Sequence, residues 1–229
     1  MEIFRFVVNR LEENTFIVEG ATGRCVIIDP GCHSDEELGR VNGCIEDHGL
    51  KPEAILVTHG HMDHTYGLAA LQGKYDIPIY MSPDDKPVIA YFQRVAKFGI
   101  PVPDPSFTTT DILDGQVISA AGLKFKVIST PGHSPGCVCY LEEEQKVIFT
   151  GDTLFAGAIG RSDLFGGDYD AEIRSIMEKL MYLDGDIAVY PGHGPSSTIG
   201  DERVGNPFLE PFNEREEIPE LNQNQYDQD

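Results

Sequence analysis

The chain has 229 residues, 41% hydrophobic and 24% charged, long enough for one large domain or two small ones with a sizeable core. No run approaches the ~18 to 20 unbroken apolar residues of a membrane helix. Asp and Glu number 38 against 17 Lys and Arg, and the formal charge of -21 repels a phosphate backbone, so neither a nucleic-acid nor a membrane partner is expected.

Strand-like runs come first, at Ile3 to Val8, Thr15 to Glu19 and Arg24 to Asp29, with turn material at Ala21-Thr22-Gly23. Ser34-Asp35-Glu36-Glu37 reads as an N-cap with a capping-box glutamate, opening a helix that should reach about Gly49. The apolar strand Ala54 to Val57 runs directly into Thr58-His59-Gly60-His61-Met62-Asp63-His64. Helices are predicted at Thr65 to Leu71 and Pro83 to Phe98, with a strand at Pro78 to Met81 between them. Beyond the proline-broken stretch Ile100 to Pro105, strands are predicted at Val117 to Ala120, Leu123 to Ser129, Cys137 to Leu141 and Lys146 to Thr150. A last helix, Ala171 to Leu183, leads into the strand Ile187 to Tyr190.

An internal echo links the two halves. Val26-Ile27-Ile28-Asp29, a helix and then Ala54 to His59 parallels Val147 to Asp152, a helix and then Ile187 to His193. In each half an Asp and a His follow strand ends, which points to two β-rich halves covered by helices, their strand-end loops meeting along one edge. No linker divides residues 1–200, which read as one domain. Residues 201–229 hold nine acids against Arg203 and Arg215 and read as an acidic extension, with Asn222 to Asp229 expected to be a solvated tail.

Five cysteines, odd in number and without a C-x-x-C pair, argue against a secreted disulfide framework. The N-terminus lacks a basic segment followed by a long apolar run, so a cytoplasmic location is expected. Cys137 and Cys139 alternate along a strand and read as core thiols.

Histidine carries the chemistry. Of seven in the chain, three fall within the six positions His59 to His64, and His133 and His193 follow in Gly- and Pro-flanked loops. In an extended loop residues two apart point the same way, so His59 and His61 can present imidazoles to one ion while Asp63 and His64 face another. Asp152, ending an apolar strand beside Gly151, is the best bridge, since a carboxylate has two oxygens and can hold two ions. His33 and His48 read as surface or capping residues. Imidazole with carboxylate suits zinc first, while iron and manganese are also compatible.

Thr58-His59-Gly60-His61-Met62-Asp63-His64, Pro131-Gly132-His133-Ser134-Pro135-Gly136, Thr150-Gly151-Asp152 and Pro191-Gly192-His193-Gly194 resemble, in order and spacing, the successive motifs of the metallo-β-lactamase superfamily. The resemblance implies a four-layer αβ/βα sandwich of the α/β class with its metal site at the sheet edge and two divalent metal ions. His59, His61 and His133 would hold one, Asp63, His64 and His193 the other, with Asp152 bridging and Asp29 supporting from behind. Gly160-Arg161-Ser162-Asp163-Leu164 and the complete ligand set are similar to glyoxalase II, the hydroxyacylglutathione hydrolases, and in particular to their short bacterial forms. The implied reaction is hydrolysis of a small thioester such as S-hydroxyacylglutathione by a metal-bridging hydroxide, oriented by Asp63, with Arg161 and Asp163 paired beside the metal loop.

Three alternatives remain open at this level: a mononuclear-iron persulfide dioxygenase of the same fold, a lactonase or other ester hydrolase, and a metal-bound interaction module without turnover. The longer glyoxalase II enzymes carry a C-terminal helical domain that supplies basic residues to glutathione, and here the matching region is acidic. The resemblance therefore supports hydrolysis more strongly than glutathione specificity.

Overall fold

Residues 1–20 and 23–209 are described by the computed structural model. The turn expected around residues 21–22 and the acidic extension from residue 210 onward, including the tail at 222–229, lie outside the described residues.

The first sheet has six strands in chain order: β1 (Glu2–Val8), β2 (Glu13–Glu19), β3 (Arg24–Ile28), β4 (Lys51–Leu56), β5 (Ile79–Met81) and β6 (Thr109–Asp111). The pairs β1–β2 and β2–β3 are antiparallel; those from β3 to β6 are parallel. Between β3 and β4 runs α1 (Asp35–Asp47), which begins on the predicted capping box: the Glu37 amide donates to Ser34 Oγ at 3.2 Å and the Ser34 amide to Glu37 Oε2 at 3.1 Å. After β4 come α2 (Met62–Thr65), α3 (Leu68–Tyr75) and, beyond β5, a single 3₁₀ turn that leads into α4 (Lys86–Val95).

The second sheet contains β7 (Val117–Ala120), β8 (Leu123–Ser129), β9 (Val138–Glu142), β10 (Val147–Gly151), β13 (Ala188–Pro191) and β14 (Ser197–Thr198), in the order β14-β13-β10-β9-β8-β7. A small hairpin, β11 (Leu154–Phe155) with β12 (Ala158–Ile159), follows β10, and helices α5 (Tyr169–Ser175) and α6 (Ile199–Gly205) complete the elements of the described residues. The echo read in the sequence has a structural counterpart. In each half a strand, a covering helix and a second strand form a parallel pair, β3 with β4 and β10 with β13.

The period of two along the strands explains the four layers. Phe16, Val18, Val26, Ile28 and Leu56 point inward against Phe125, Val127, Tyr140 and Phe149 of the other sheet. Their neighbours Ile17, Ile27 and Ile55 point outward, where Val41 and Ile45 of α1 and Leu68 and Leu71 of α3 cover them. On the far face Cys139, Leu141, Ile148 and Val189 pack under Ile173, Ile176 and Leu180. Cys139 is a core thiol, as its alternation implied, and burial pushes its pKa up to about 12.

Several boundaries differ from the sequence expectations. The helix predicted from Thr65 to Leu71 is two helices, α2 starting inside the histidine motif and α3 running on to Tyr75. The last predicted helix starts earlier, at Tyr169, because Asp168 accepts the Ala171 amide at 2.9 Å, and its second half (Ile176–Leu180) widens into a π-helix. Strands β6, β11, β12 and β14 were not foreseen; each has only two or three residues, too few for an alternation to show. Packed structure also continues beyond residue 200: α6 crosses that point, and Leu209 is fully buried among the residues under the second sheet. No helix among the described residues is long and apolar enough to cross a membrane.

Candidate metal centre

The C-terminal ends of the two parallel pairs open on the same edge, where an open α/β sheet ordinarily places its ligands. Asp29 follows β3, His59 follows β4, Asp152 follows β10 and His193 follows β13, while His133 lies in the loop from β8 to β9. Bonds between the sheets fix this edge. The Val138 amide donates to the Thr58 carbonyl at 2.9 Å, the Asn14 amide to Gly192 at 2.7 Å, and Asn14 Nδ2 to the Pro191 carbonyl at 2.9 Å.

Two triads result, in each of which the potential ligand atoms all lie within 4.8 Å of one another: His59, His61 and His133, and Asp63, His64 and His193. In the first, His133 Nε2 lies 2.7 Å from His61 Nδ1 and 3.2 Å from His59 Nε2, so three imidazole nitrogens converge on a point. In the second, His193 Nε2 is 3.3 Å from Asp63 Oδ2. Asp152 stands between the triads, with Oδ1 3.3 Å from His64 Nε2 and Oδ2 3.5 Å from both His133 Nε2 and His193 Nε2. Gly192 permits this closeness: a Cβ there would collide with Asp152 Oδ1 and His64 Cε1.

The donor set fits a pair of metal ions. Buried polar groups ordinarily find hydrogen-bond partners, yet His64 Nε2 and Asp152 Oδ1, both facing the centre, make no well-formed hydrogen bond. In four of the five histidines the nitrogen turned away from the centre is meanwhile held, as ligand imidazoles generally are, whereas the outer Nε2 of His61 is buried without a partner. His133 Nδ1 lies 2.7 Å from the Arg161 carbonyl, His193 Nδ1 2.9 Å from that of Leu11, His64 Nδ1 3.0 Å from Asp29 Oδ2 and His59 Nδ1 3.1 Å from Thr58 Oγ1. Asp29 also accepts the Thr58 amide and hydroxyl, so it fixes two loops from behind the site.

The triads differ in charge. Burial, reinforced by His133, brings the His61 pKa down to about 3, and burial with His64 beside it depresses His59 strongly. These imidazoles are neutral, with lone pairs to offer. Burial also opposes charge on His64, but Asp152 and Asp63 overcome it and raise its pKa well above the ordinary value. For Asp152 burial favours the neutral acid, and His64, His133 and His193 reverse that, holding the carboxylate ionised.

His33 and His48 stay outside the cluster, as expected: His33 rests on Tyr66 with ring centroids 4.4 Å apart, and His48 caps α1 with Nδ1 2.9 Å from the Cys44 carbonyl. Arg161 and Asp163 form a two-pronged ion pair at 2.7 and 2.9 Å on the surface, and it is the carbonyl of Arg161, not its guanidinium, that reaches a site histidine.

Three buried acids escaped the sequence reading. Asp85 accepts the Gly60 amide (2.6 Å) and the Ser134 hydroxyl (2.7 Å) on Oδ2, and the Gly136 amide (2.6 Å) on Oδ1. It ties the loop of His59 and His61 to the loop of His133, and a Cβ on Gly136 would lie 2.6 to 2.7 Å from it. Locally, Ser82-Pro83-Asp84-Asp85 looks only like a helix start, which hides these long-range bonds. Glu13 is fully buried with Oε1 3.8 Å from His64 Nδ1, and Glu172 is fully buried under the His133 loop with neither oxygen in a well-formed hydrogen bond. Nothing in the sequence around either sets it apart from a surface glutamate.

A cavity of about 510 Å³ opens on the centre. Its wall includes His61, Asp63, His133, Asp152 and His193 together with Leu11, Tyr66, Phe92, Phe155, Ile159 and Leu164.

Comparison with known proteins agrees with this arrangement. The family model of the metallo-beta-lactamase superfamily matches residues 8–193. The hydroxyacylglutathione hydrolase GloC of Haemophilus influenzae is 35% identical over 216 residues, covering 91% of this chain and 98% of its own. Among solved structures, the BLEG-1 B3 metallo-beta-lactamase superposes with a TM-score of 0.82 at 32% identity, covering 91% of this chain and 99% of that one. TTHA1623, solved in a di-iron-bound form, gives 0.79 at 36% identity, covering 90% and 100%. Sheets, loop order and sequence concur: the chain belongs to the metallo-beta-lactamase superfamily of metal-dependent hydrolases.

Proposed function

We propose that the protein is a binuclear metal-dependent thioesterase acting on small thioesters such as S-hydroxyacylglutathione. The observation that carries this reading is Asp152 between two complete triads, 3.3 to 3.5 Å from a histidine nitrogen of each. His59, His61 and His133 would hold one ion, Asp63, His64 and His193 the other, and Asp152 both. Zinc suits these donors, and the di-iron form of TTHA1623 makes iron the main competitor. When bound, such ions supply Lewis acidity and a water that ionises near neutral pH.

The chain's own groups decide which bond is cleaved. Burial raises the Asp63 carboxyl, but His64 and His193 more than offset this and hold it below the usual carboxylate range. Asp63 is therefore an acceptor, suited to orient the attacking water and take its proton. Asp152 is ionised as well, and the Tyr66 hydroxyl is turned to the Pro101 carbonyl at 3.2 Å. Apart from the one proton that Asp63 would take from the water, the lining carboxylates and Tyr66 thus offer none to a leaving group. A thiolate, whose parent pKa is ~8.5, needs none, whereas an amine does. This favours thioesters over amides. The similarity to GloC points the same way.

The test is elemental analysis joined to assays of thiol release and oxygen uptake. About two equivalents of metal per chain and metal-dependent release of thiol from S-lactoylglutathione are expected. One equivalent of iron, with oxygen consumed on a persulfide and no thioester cleaved, would overturn the proposal in favour of a dioxygenase.

A further inference from the structure

From the cavity wall we infer the class of thioester the site prefers: one with an apolar group on each side of the scissile bond and no anionic thiol carrier. This rests on the thioesterase reading. The two metal triads each have an aromatic ring at their side of the cavity. Phe92 of α4 stands edge-on to His61 at 5.5 Å between centroids, and Phe155 of the β11–β12 hairpin stands edge-on to His193 at 6.1 Å. A carbonyl placed at Asp152, between the triads, therefore has an aromatic wall on either hand. Leu11, Tyr66, Ile159 and Leu164 extend these walls. Leu11 is largely and Leu164 partly exposed, and next to Leu164 the exposed Phe165 stacks on Tyr91 at 4.5 Å, so the apolar surface continues past the rim. An exposed apolar patch of this kind next to reactive groups marks a binding surface.

Charge recognition is weak by comparison. Arg161 is the one arginine or lysine among the described residues lining the cavity, and Asp163 already grips it with two hydrogen bonds. The pair is neutral and exposed, with 62% and 70% of the two side chains accessible, so solvent screens what attraction remains. Glutathione would bring two carboxylates into this wall without a free lysine or arginine among the described lining residues to receive them, in a chain of formal charge -21. A neutral carrier avoids that desolvation and gains contact with the rings.

The experiment uses the metal-loaded protein and thioethers that it cannot hydrolyse. Calorimetric titration compares S-(3-phenylpropyl)-N-acetylcysteamine, S-(3-phenylpropyl)glutathione and S-methylglutathione. The neutral phenylpropyl ligand is expected to bind at least about tenfold tighter than its glutathione counterpart, and S-methylglutathione weakest, consistent with the discrimination that apolar contacts usually supply. Phe92→Ala and Phe155→Ala should each reduce the phenylpropyl advantage severalfold, and Asp163→Asn, by freeing Arg161, should tighten the glutathione ligands. Equal or tighter binding of the glutathione thioethers to the unmutated protein overturns the inference, as does an unchanged preference in both phenylalanine variants. Thiol release from the matching thioesters is read separately. Cleavage without the binding order defeats only this inference, whereas the binding order without cleavage of any thioester defeats the reading beneath it and the substrate class together.

Discussion

The two metal triads are built from different materials. The first is three imidazoles, deeply buried, with His59 and His61 neutral and with loops locked together by Asp85. The second combines a carboxylate with two histidines whose affinity for protons Asp63 and Asp152 raise, and its His193 side chain remains 24% exposed. His59 and His61 thus offer lone pairs at once, while the second triad is balanced internally by protons that an ion would have to displace. Ligand count alone would have made the sites look equivalent; burial and neighbouring charge make one a standing receptacle and the other a site loaded in competition with acid.

The largest expected effect comes from removing the group both sites share. Asp152→Ala should lower kcat about a thousandfold, because several kcal/mol of metal-derived stabilisation is at stake at ~1.4 kcal/mol per decade. Steady-state kinetics with parallel metal analysis checks this. Near-normal kcat with both ions retained would show that the triads work independently.

Acidification should separate the triads next. The raised proton affinity of His64 and His193 means that a metal entering the second triad displaces protons, and this costs more as pH falls. His59 and His61 of the first triad are spared over the same range, with His61 at about 3. Affinity at the second site should fall roughly tenfold per pH unit for each proton displaced, or between about a hundredfold and about ten-thousandfold from pH 7 to pH 5. Metal content after dialysis at each pH should therefore drop from two equivalents to one before it drops further. Simultaneous loss of both ions would erase the contrast.

Asp85→Ala probes the locked loops. It leaves every potential ligand in place but frees the Gly60 and Gly136 amides, and metal affinity at the first triad should fall by about tenfold, the lower end for outer supporting groups since Asp85 acts only through backbone and Ser134. Competition with a chelating dye measures this. Asp85→Asn, which keeps one acceptor oxygen, should recover part of the loss.

The smallest effect is one of stability. Burial pushes the Glu172 pKa up to about 9, against an ordinary 4.5. The folded protein thus holds a proton that the unfolded chain releases, and stability declines as pH rises from about 4.5 toward 9. Glu172→Gln removes that penalty. Its melting temperature should exceed the parent's at pH 8 by at least about 2 to 4 °C, the shift that ~1 kcal/mol produces in a domain of this size, since the penalty grows by up to ~1.4 kcal/mol per pH unit above 4.5. The gain should vanish near pH 4.5. A gain independent of pH would assign the effect to packing.

These contrasts also show what the sequence could and could not convey. The five clustered histidines, Asp63 and Asp152 were legible because rare residue types at strand ends form a local signal, and the capping box of α1 is likewise written within four residues. Asp85, Glu13 and Glu172 were not, since a buried acid is recognised by what surrounds it, and its surroundings arrive from distant parts of the chain. Asp85 meets partners 25, 49 and 51 positions away. Phe92 looked like an ordinary helix residue and Phe155 fell in a stretch given no element, for the same reason. In the fold, the short strands failed to show a pattern because two or three residues cannot alternate.

The bond from the Asn14 amide to the Gly192 carbonyl, with the bridge pairing Glu13 and His193, joins the second strand of the chain to its last ligand loop. During synthesis, every residue of the imidazole triad has been made by position 133. The mixed triad must wait until position 193 has been made and has returned to the opening strands. A nascent chain therefore completes its two triads in sequence, and a chain stalled after its second sheet has begun holds the three imidazoles of the first yet never the full set of the second. Loss of the opening strands by proteolysis would likewise strip support from the ligand loop farthest from them in sequence.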